Sequence, residues 1–149
     1  MVQILTVVIY NPVYRQIMQL LKEDTTIESV GLSFGIHEKD KIIIGNFVSV
    51  TNLDNSAVSF SLDYEVLYKE IQIHEEKGEM LVGIFHSHPK GASLYPSQKD
   101  HYFMRYWPYP YLWLIGCIRG EESAPKLAIF TLLNKKIIEI PYLVVNSTE

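Results

Sequence analysis

Apolar positions along the chain alternate between two periods, and the switches between them mark the elements. Val2 to Tyr10 is rich in β-branched residues and predicts a strand, closed by Asn11-Pro12, which also opens a helix. Val13, Ile17, Leu20 and Leu21 then recur at helical spacing, one apolar stripe ending near Glu23-Asp24. Ile27 to Ile36 alternates as a strand whose Gly31 and Gly35 let a neighbouring backbone come close, and Ile42 to Val50 is the next strand, across a charged turn at His37 to Asp40. After polar Thr51 to Ala57 and an extended piece at Val58 to Leu62, a second helix is predicted from Asp63 to Lys77. Tyr64, Leu67, Ile71 and His74 share one face of it, His74 at the boundary, and Gly78 is its stop. Met80 to Phe85 is near-continuously apolar, as in a strand covered on both faces. A third helix opens at Ser97 and ends by Tyr106, because Trp107 precedes Pro108. Tyr111 to Ile118, Lys126 to Leu133 and Lys136 to Val145 read as a three-strand meander with turns at Gly120 to Pro125 and Asn134-Lys135. The whole is a mixed β-sheet with about three helices, in the α/β or α+β class, as one domain over residues 1–149.

The apolar run at Met80 to Phe85 ends in His86-Ser87-His88-Pro89. On an extended chain alternate side chains share a face, so His86 and His88 point the same way where the strand runs out. Downstream, Ser97 suits an N-cap and Asp100 the third helical position, so a loop containing Pro89, Gly91 and Pro96 can bring a carboxylate back to the two histidines. Two His and one carboxylate leave an open corner on a tetrahedral ion, the composition of a catalytic zinc site and not of a closed structural one. The same set also suits a non-haem iron. Ser97 and Asp100 read equally as a capping box alone, and His101 is an alternative third ligand that points about 100° away on a helix.

His86-Ser87-His88-Pro89 followed by Pro96-Ser97-x-x-Asp100 resembles the signature of the JAMM (MPN-type) metalloprotease family. The family's upstream Glu-x-x-Gly-Leu-x-x-Gly context is matched by Glu28-Ser29-Val30-Gly31-Leu32-Ser33-Phe34-Gly35. Eleven residues, Pro89 to Lys99, separate the second histidine from the aspartate, one more than is usual in the family, and the extra residue is expected in the loop between Lys90 and Tyr95. The resemblance implies a curved, partly barrel-like sheet of the cytidine-deaminase-like kind, and one zinc ion per chain held by His86, His88 and Asp100. It also implies Glu28 as general base and then acid, and Ser97 as an oxyanion donor. The implied activity is that of an isopeptidase (deubiquitinase-like) acting on conjugates of ubiquitin or a ubiquitin-like protein. Processing of a β-grasp sulfur-carrier protein and a non-catalytic MPN scaffold are the alternatives, with a homodimer or a complex subunit as possible assemblies.

Composition narrows this picture in three ways. A net charge of -4 without a local Lys/Arg cluster provides no footprint for nucleic acid. Cys117 is the only cysteine, in the apolar run Leu112 to Ile118, which predicts a small buried core residue and excludes intrachain disulfides. The apolar start lacks a basic segment and no run reaches the ~18 residues of a membrane span, so a cytoplasmic protein is expected. The aromatic-rich segment of Tyr102, Phe103, Tyr106, Trp107, Tyr109, Tyr111 and Trp113 is expected to pack mainly in the core, with some rings exposed for a protein partner.

Overall fold

The strand–helix pairs anticipated from periodicity assemble around one sheet in the computed structural model, which describes residues 6–23, 27–56, 59–106, 112–118 and 124–146. The elements are β1 (Thr6–Tyr10), α1 (Asn11–Glu23), β2 (Val30–Glu38), β3 (Lys41–Val50), α2 (Tyr64–Glu75), β4 (Met80–Ser87), α3 (Gln98–Tyr106), β5 (Leu112–Ile118), β6 (Pro125–Leu133), β7 (Lys136–Ile140) and β8 (Tyr142–Val145). The strand order is β7-β6-β5-β4-β2-β3-β1-β8. β2 pairs antiparallel with both β3 and β4, whereas β4 with β5 and β1 with β3 are parallel, so the sheet is mixed.

The expected strand over Lys136 to Val145 is two strands. β7 lies at one end of the order, antiparallel to β6, and β8 at the other, parallel to β1, with Pro141 alone between them. Proline has no N–H to give a ladder, so a strand changes partner there. One residue spans only about 3.5 Å, so the two ends of the sheet must meet, and the sheet curls nearly into a barrel. The Tyr142 hydroxyl crosses this seam to the Leu127 carbonyl at 3.0 Å. The meander is thus limited to β5, β6 and β7. Residues 1–5, 107–111 and 119–123 lie outside the described residues, and with them the start of the first predicted strand, Trp107, Tyr109 and Tyr111, and part of the predicted 120–125 turn.

Both faces of the sheet are covered, which is why β4 reads as a continuous apolar run. On one face α1 buries Val13, Ile17 and Leu21 against Val7, Ile9, Ile44, Phe85 and Leu114. On the other, Leu67 of α2 and Met104 of α3 pack with Val30, Leu32, Ile84, Trp113 and Ile115. The α2 face departs from its predicted stripe: Tyr64 is 54% exposed, and His74 is buried, not at a boundary. The His74 ring stacks on Phe34 at 3.9 Å and its Nδ1 meets Glu79 Oε1 at 2.8 Å, so stacking and a carboxylate replace an aliphatic contact. Asp63 caps α2, its carboxylate accepting from the Glu65 and Val66 amides. Trp113 and Cys117 are core residues as expected, whereas Tyr102 and Tyr106 are exposed. Among the described residues no helix is long and apolar enough to cross a membrane.

The two strand glycines are where chains approach. The Phe47 ring lies on Gly31, and a methyl at Gly35 would strike the Ile43 carbonyl beside a register shift between β2 and β3. Gly35→Ala should therefore cost on the order of 2 kcal/mol, since backbone cannot rotate away as a side chain can. A chemical-denaturation midpoint equal to wild type would show that the β2–β3 ladder yields there.

Candidate metal centre and its carboxylates

The antiparallel register brings two distant stretches together. Val30 pairs with His86, and the Ser29 amide donates to Ser87 Oγ at 2.7 Å while the Ser87 amide donates to the Ser29 carbonyl at 2.9 Å. Continuing the register sets Glu28 opposite His88. Beyond the strand the chain leaves through His88, whose amide donates to Gly116 of β5 at 2.8 Å, and a loop returns it to α3. Ser97 caps that helix reciprocally: its Oγ accepts from the Asp100 amide at 3.1 Å, and its own amide donates to Asp100 Oδ2 at 2.9 Å. The capping box and the carboxylate return are therefore one arrangement, not alternatives.

His86, His88 and Asp100 converge, with candidate ligand atoms all within 4.8 Å of one another. His88 Nε2 is 2.9 Å from Asp100 Oδ2, and His86 Nε2 is 3.0 Å from Oδ1. Ligands on a tetrahedral ion with bonds of about 2.0 Å lie about 3.3 Å apart, close to these separations. The hydrogen-bond inventory points the same way. His88 Nδ1 donates to the Ser93 carbonyl at 2.7 Å, which leaves Nε2 of the neutral ring as a lone pair facing a carboxylate oxygen. Such a contact is repulsive unless a proton or a cation lies within the group. His86 is 1% exposed, yet neither ring nitrogen makes a hydrogen bond among the described residues, since the approach to Asp100 is out of line for one. Its ring is instead held flat against Phe60, centroids 4.7 Å apart. Orphaned imidazole nitrogens around a buried carboxylate fit a metal ion. His101 is exposed and lines a surface groove with Tyr102 and Arg105, so its alternative role as third ligand finds no support.

The two carboxylates are pushed in opposite directions. Burial works against ionising Asp100, but the adjoining His86 and His88 rings and the Ser97 amide overcome it and hold its carboxyl well below the usual range. Glu28 is 5% exposed, and burial, then the Asp100 charge, raise it to about 7. For His88 burial acts downward, but a second proton, on Nε2, would bond Asp100, and this with the Ser93 carbonyl and the charges of Asp100 and Glu28 more than reverses it, a net upward shift in the metal-free protein. Glu28 borders two clefts. One, of about 320 Å³, is shared with His88, Ser93, Tyr95 and Ser97; the other, of about 270 Å³, with Asp54, Phe60, Lys99 and Tyr102.

Reading the sequence for chemistry passes over three contributors. Ser93 acts through its backbone carbonyl, for which no side-chain signal exists. Phe60 is an aromatic among serines. Asn52 lies in a stretch that reads only as polar loop, yet its carboxamide is buried and bonded to the Glu28 carbonyl at 3.1 Å.

A model of the prokaryotic homologs of the JAB domain matches residues 11–130. The chain belongs to this JAB/MPN, JAMM-type family. A desampylase from Pyrococcus furiosus is 32% identical over 119 residues, covering 80% of this chain and 79% of the relative. The solution structure of a protein from Desulfitobacterium hafniense matches with a TM-score of 0.79 at 21% identity, over 96% of this chain and 95% of that one, a likeness of fold. Membership of the JAMM-type family and the desampylase relative together support a hydrolase of the JAMM type.

The Glu28 shift has a sign that can be measured. Its folded pKa of about 7 lies above the ordinary 4.5, so the folded state prefers the protonated form and stability is lost as pH rises from 4.5 through about 7. In chelator-treated protein, Glu28→Gln should match wild type at pH 4 and melt above it at pH 8. Melting curves that stay parallel across this range would place Glu28 in water.

Proposed function

We propose that this chain is a zinc-dependent isopeptidase that cleaves the bond between the C-terminus of a ubiquitin-like protein and a lysine side chain. The observation that carries the reading is the convergence of His86, His88 and Asp100, with both His86 ring nitrogens unsatisfied among the described residues, opposite a buried Glu28. The relative's name supports the substrate class, because a desampylase takes a modifier protein off its conjugates. His86, His88 and Asp100 would hold the zinc, which when bound supplies a water acidified to a pKa near 7. Glu28, buried and bordering the same cleft as His88 and Ser97, accepts a proton from the attacking water and delivers it to the leaving lysine amine. Ser97 has its oxygen engaged by the Asp100 amide but its hydroxyl proton free, and it borders the same cleft as Glu28 and His88, so it donates to the oxyanion. The exposed Tyr95 and Tyr102, one on each cleft, offer flat apolar surface to an extended peptide.

Purified protein should contain one zinc per chain and cleave a lysine-linked conjugate of ubiquitin or of an archaeal ubiquitin-like modifier, with activity lost on chelation and restored by zinc. Glu28→Gln should keep the metal and lose turnover by at least about 10²-fold, while His88→Ala should lose both. Unchanged zinc stoichiometry in the His88 variant would remove it from the ligand set, and a metal-free wild type would turn the reading towards a scaffold.

Ser97→Ala tests a residue with two duties. Losing the cap should lower stability by about 1 kcal/mol, and losing the donor should lower kcat by about 10²-fold with little change in KM. Normal kcat at reduced melting temperature would leave Ser97 as a cap alone.

A further inference from the structure

We propose that Asn52 is a positioning residue that sets Glu28 through the backbone, an inference that rests on the role of Glu28 argued above. Glu28 precedes β2, so the strand ladder that begins at Val30 does not hold it, and its carboxylate Oε1 makes no hydrogen bond among the described residues. The direction of the carboxylate therefore depends on how the backbone of residue 28 is clamped. Both backbone groups are clamped by the segment after β3: the Glu28 amide donates to the Ser56 carbonyl at 2.7 Å, and its carbonyl accepts from Asn52 Nδ2 at 3.1 Å.

Asn52 is the centre of that segment. Its Nδ2 also donates to the Ser59 carbonyl at 3.0 Å, with the Ser56 carbonyl at 3.4 Å, and its Oδ1 accepts from the Asp54 and Ser61 amides at 3.0 and 3.1 Å. One planar carboxamide thus gathers the backbone of Asp54, Ser56, Ser59 and Ser61 around itself and ties it to Glu28. The task needs donors and an acceptor on one short side chain, which among such side chains asparagine alone supplies. The same segment carries Phe60, stacked on His86, so it touches both the base and a ligand. Among the described residues the polar ties of Glu28 are its amide on Ser56 and its carbonyl on Asn52, both within the segment that Asn52 organises, whereas His86 is also fixed by its place in β4, so loss of the Asn52 clamp falls on the base.

The test compares zinc-loaded Asn52→Ala with wild type and with Gly35→Ala, a variant that loses stability away from the site, on whichever conjugate the wild type cleaves. Asn52→Ala should lower kcat by about 10²-fold, as a displacement of about 1 Å does, with KM and the zinc dissociation constant from dye competition both within about threefold. Gly35→Ala should keep its kcat, and Glu28→Gln/Asn52→Ala should be no slower than Glu28→Gln. Should the alanine variant fail to fold, Asn52→Asp keeps the acceptor for Asp54 and Ser61 and removes the donors to the Glu28, Ser59 and Ser56 carbonyls, with the same fall in kcat expected. Wild-type kcat in the Asn52 variants, a loss matched by Gly35→Ala, a parallel loss of zinc affinity, or an additive double variant would each overturn the proposal. An inactive wild type instead sinks the isopeptidase reading, and the proposal falls with it.

Discussion

The structure turns on one buried carboxylate. Asp100 is taken out of water, which opposes its ionisation, and it stays charged only because two imidazoles and the Ser97 amide surround it. Oδ2 accepts from the amide that starts α3 and also meets His88, so one atom fixes the helix and closes the histidine pair. A shift of α3 by one residue would lose the cap and the cluster together. This coupling explains why a nine-residue helix with few apolar anchors holds a defined place on the sheet.

Around that carboxylate the strands act as a ruler. Antiparallel pairing of β2 with β4 converts a long sequence separation into adjacency, and the Ser29–Ser87 exchange extends the pairing to the site's edge. Closure of the sheet at Pro141 removes the freedom of an open edge to splay. The rigid frame then sets two carboxylates in one pocket with opposed tendencies: Asp100 well below its usual range, and Glu28 raised to about 7 by burial and by Asp100 itself. Such a separation of paired acids is how a single site keeps one anion fixed and one proton movable.

The sequence made legible whatever depends on side-chain period and local chemistry. The stripe of α1, the strand ending in His86 and His88, and the capped return to Asp100 follow from spacing alone. Three features escape it because they depend on partners far along the chain. Pro141 reads as a tolerable strand residue until the sheet's two ends are known to be neighbours. His74 resembles a polar edge of α2, because nothing local announces the Phe34 ring beneath it. Asn52 is one of two asparagines in a polar stretch, and only the fold distinguishes it from exposed Asn55.

The loop between His88 and Asp100 shows where an additional residue can be borne. His88 is tied to Gly116, Gly91 to Ile118, and Ala92 to both Pro89 and the Cys117 thiol, so its first half is pinned to the end of β5. Ser93 is held by its carbonyl on His88, where a shift would turn the imidazole, and Ser97 is held by the cap. Leu94 to Pro96 is held by side chains more than by backbone, Leu94 packing on the core and the Tyr95 ring lying 6.0 Å from that of Phe130, while the Tyr95 amide on Ser93 Oγ is local to the loop itself. Lengthening costs least there, because loop-closure entropy rises only slowly with length while each lost anchor is felt in full. The exposed Tyr95 stands on this segment, at the mouth of the cleft that contains Glu28 and Ser97. The residue count between the histidine and the aspartate therefore bears on the shape of that mouth and leaves the cluster of His86, His88 and Asp100 undisturbed.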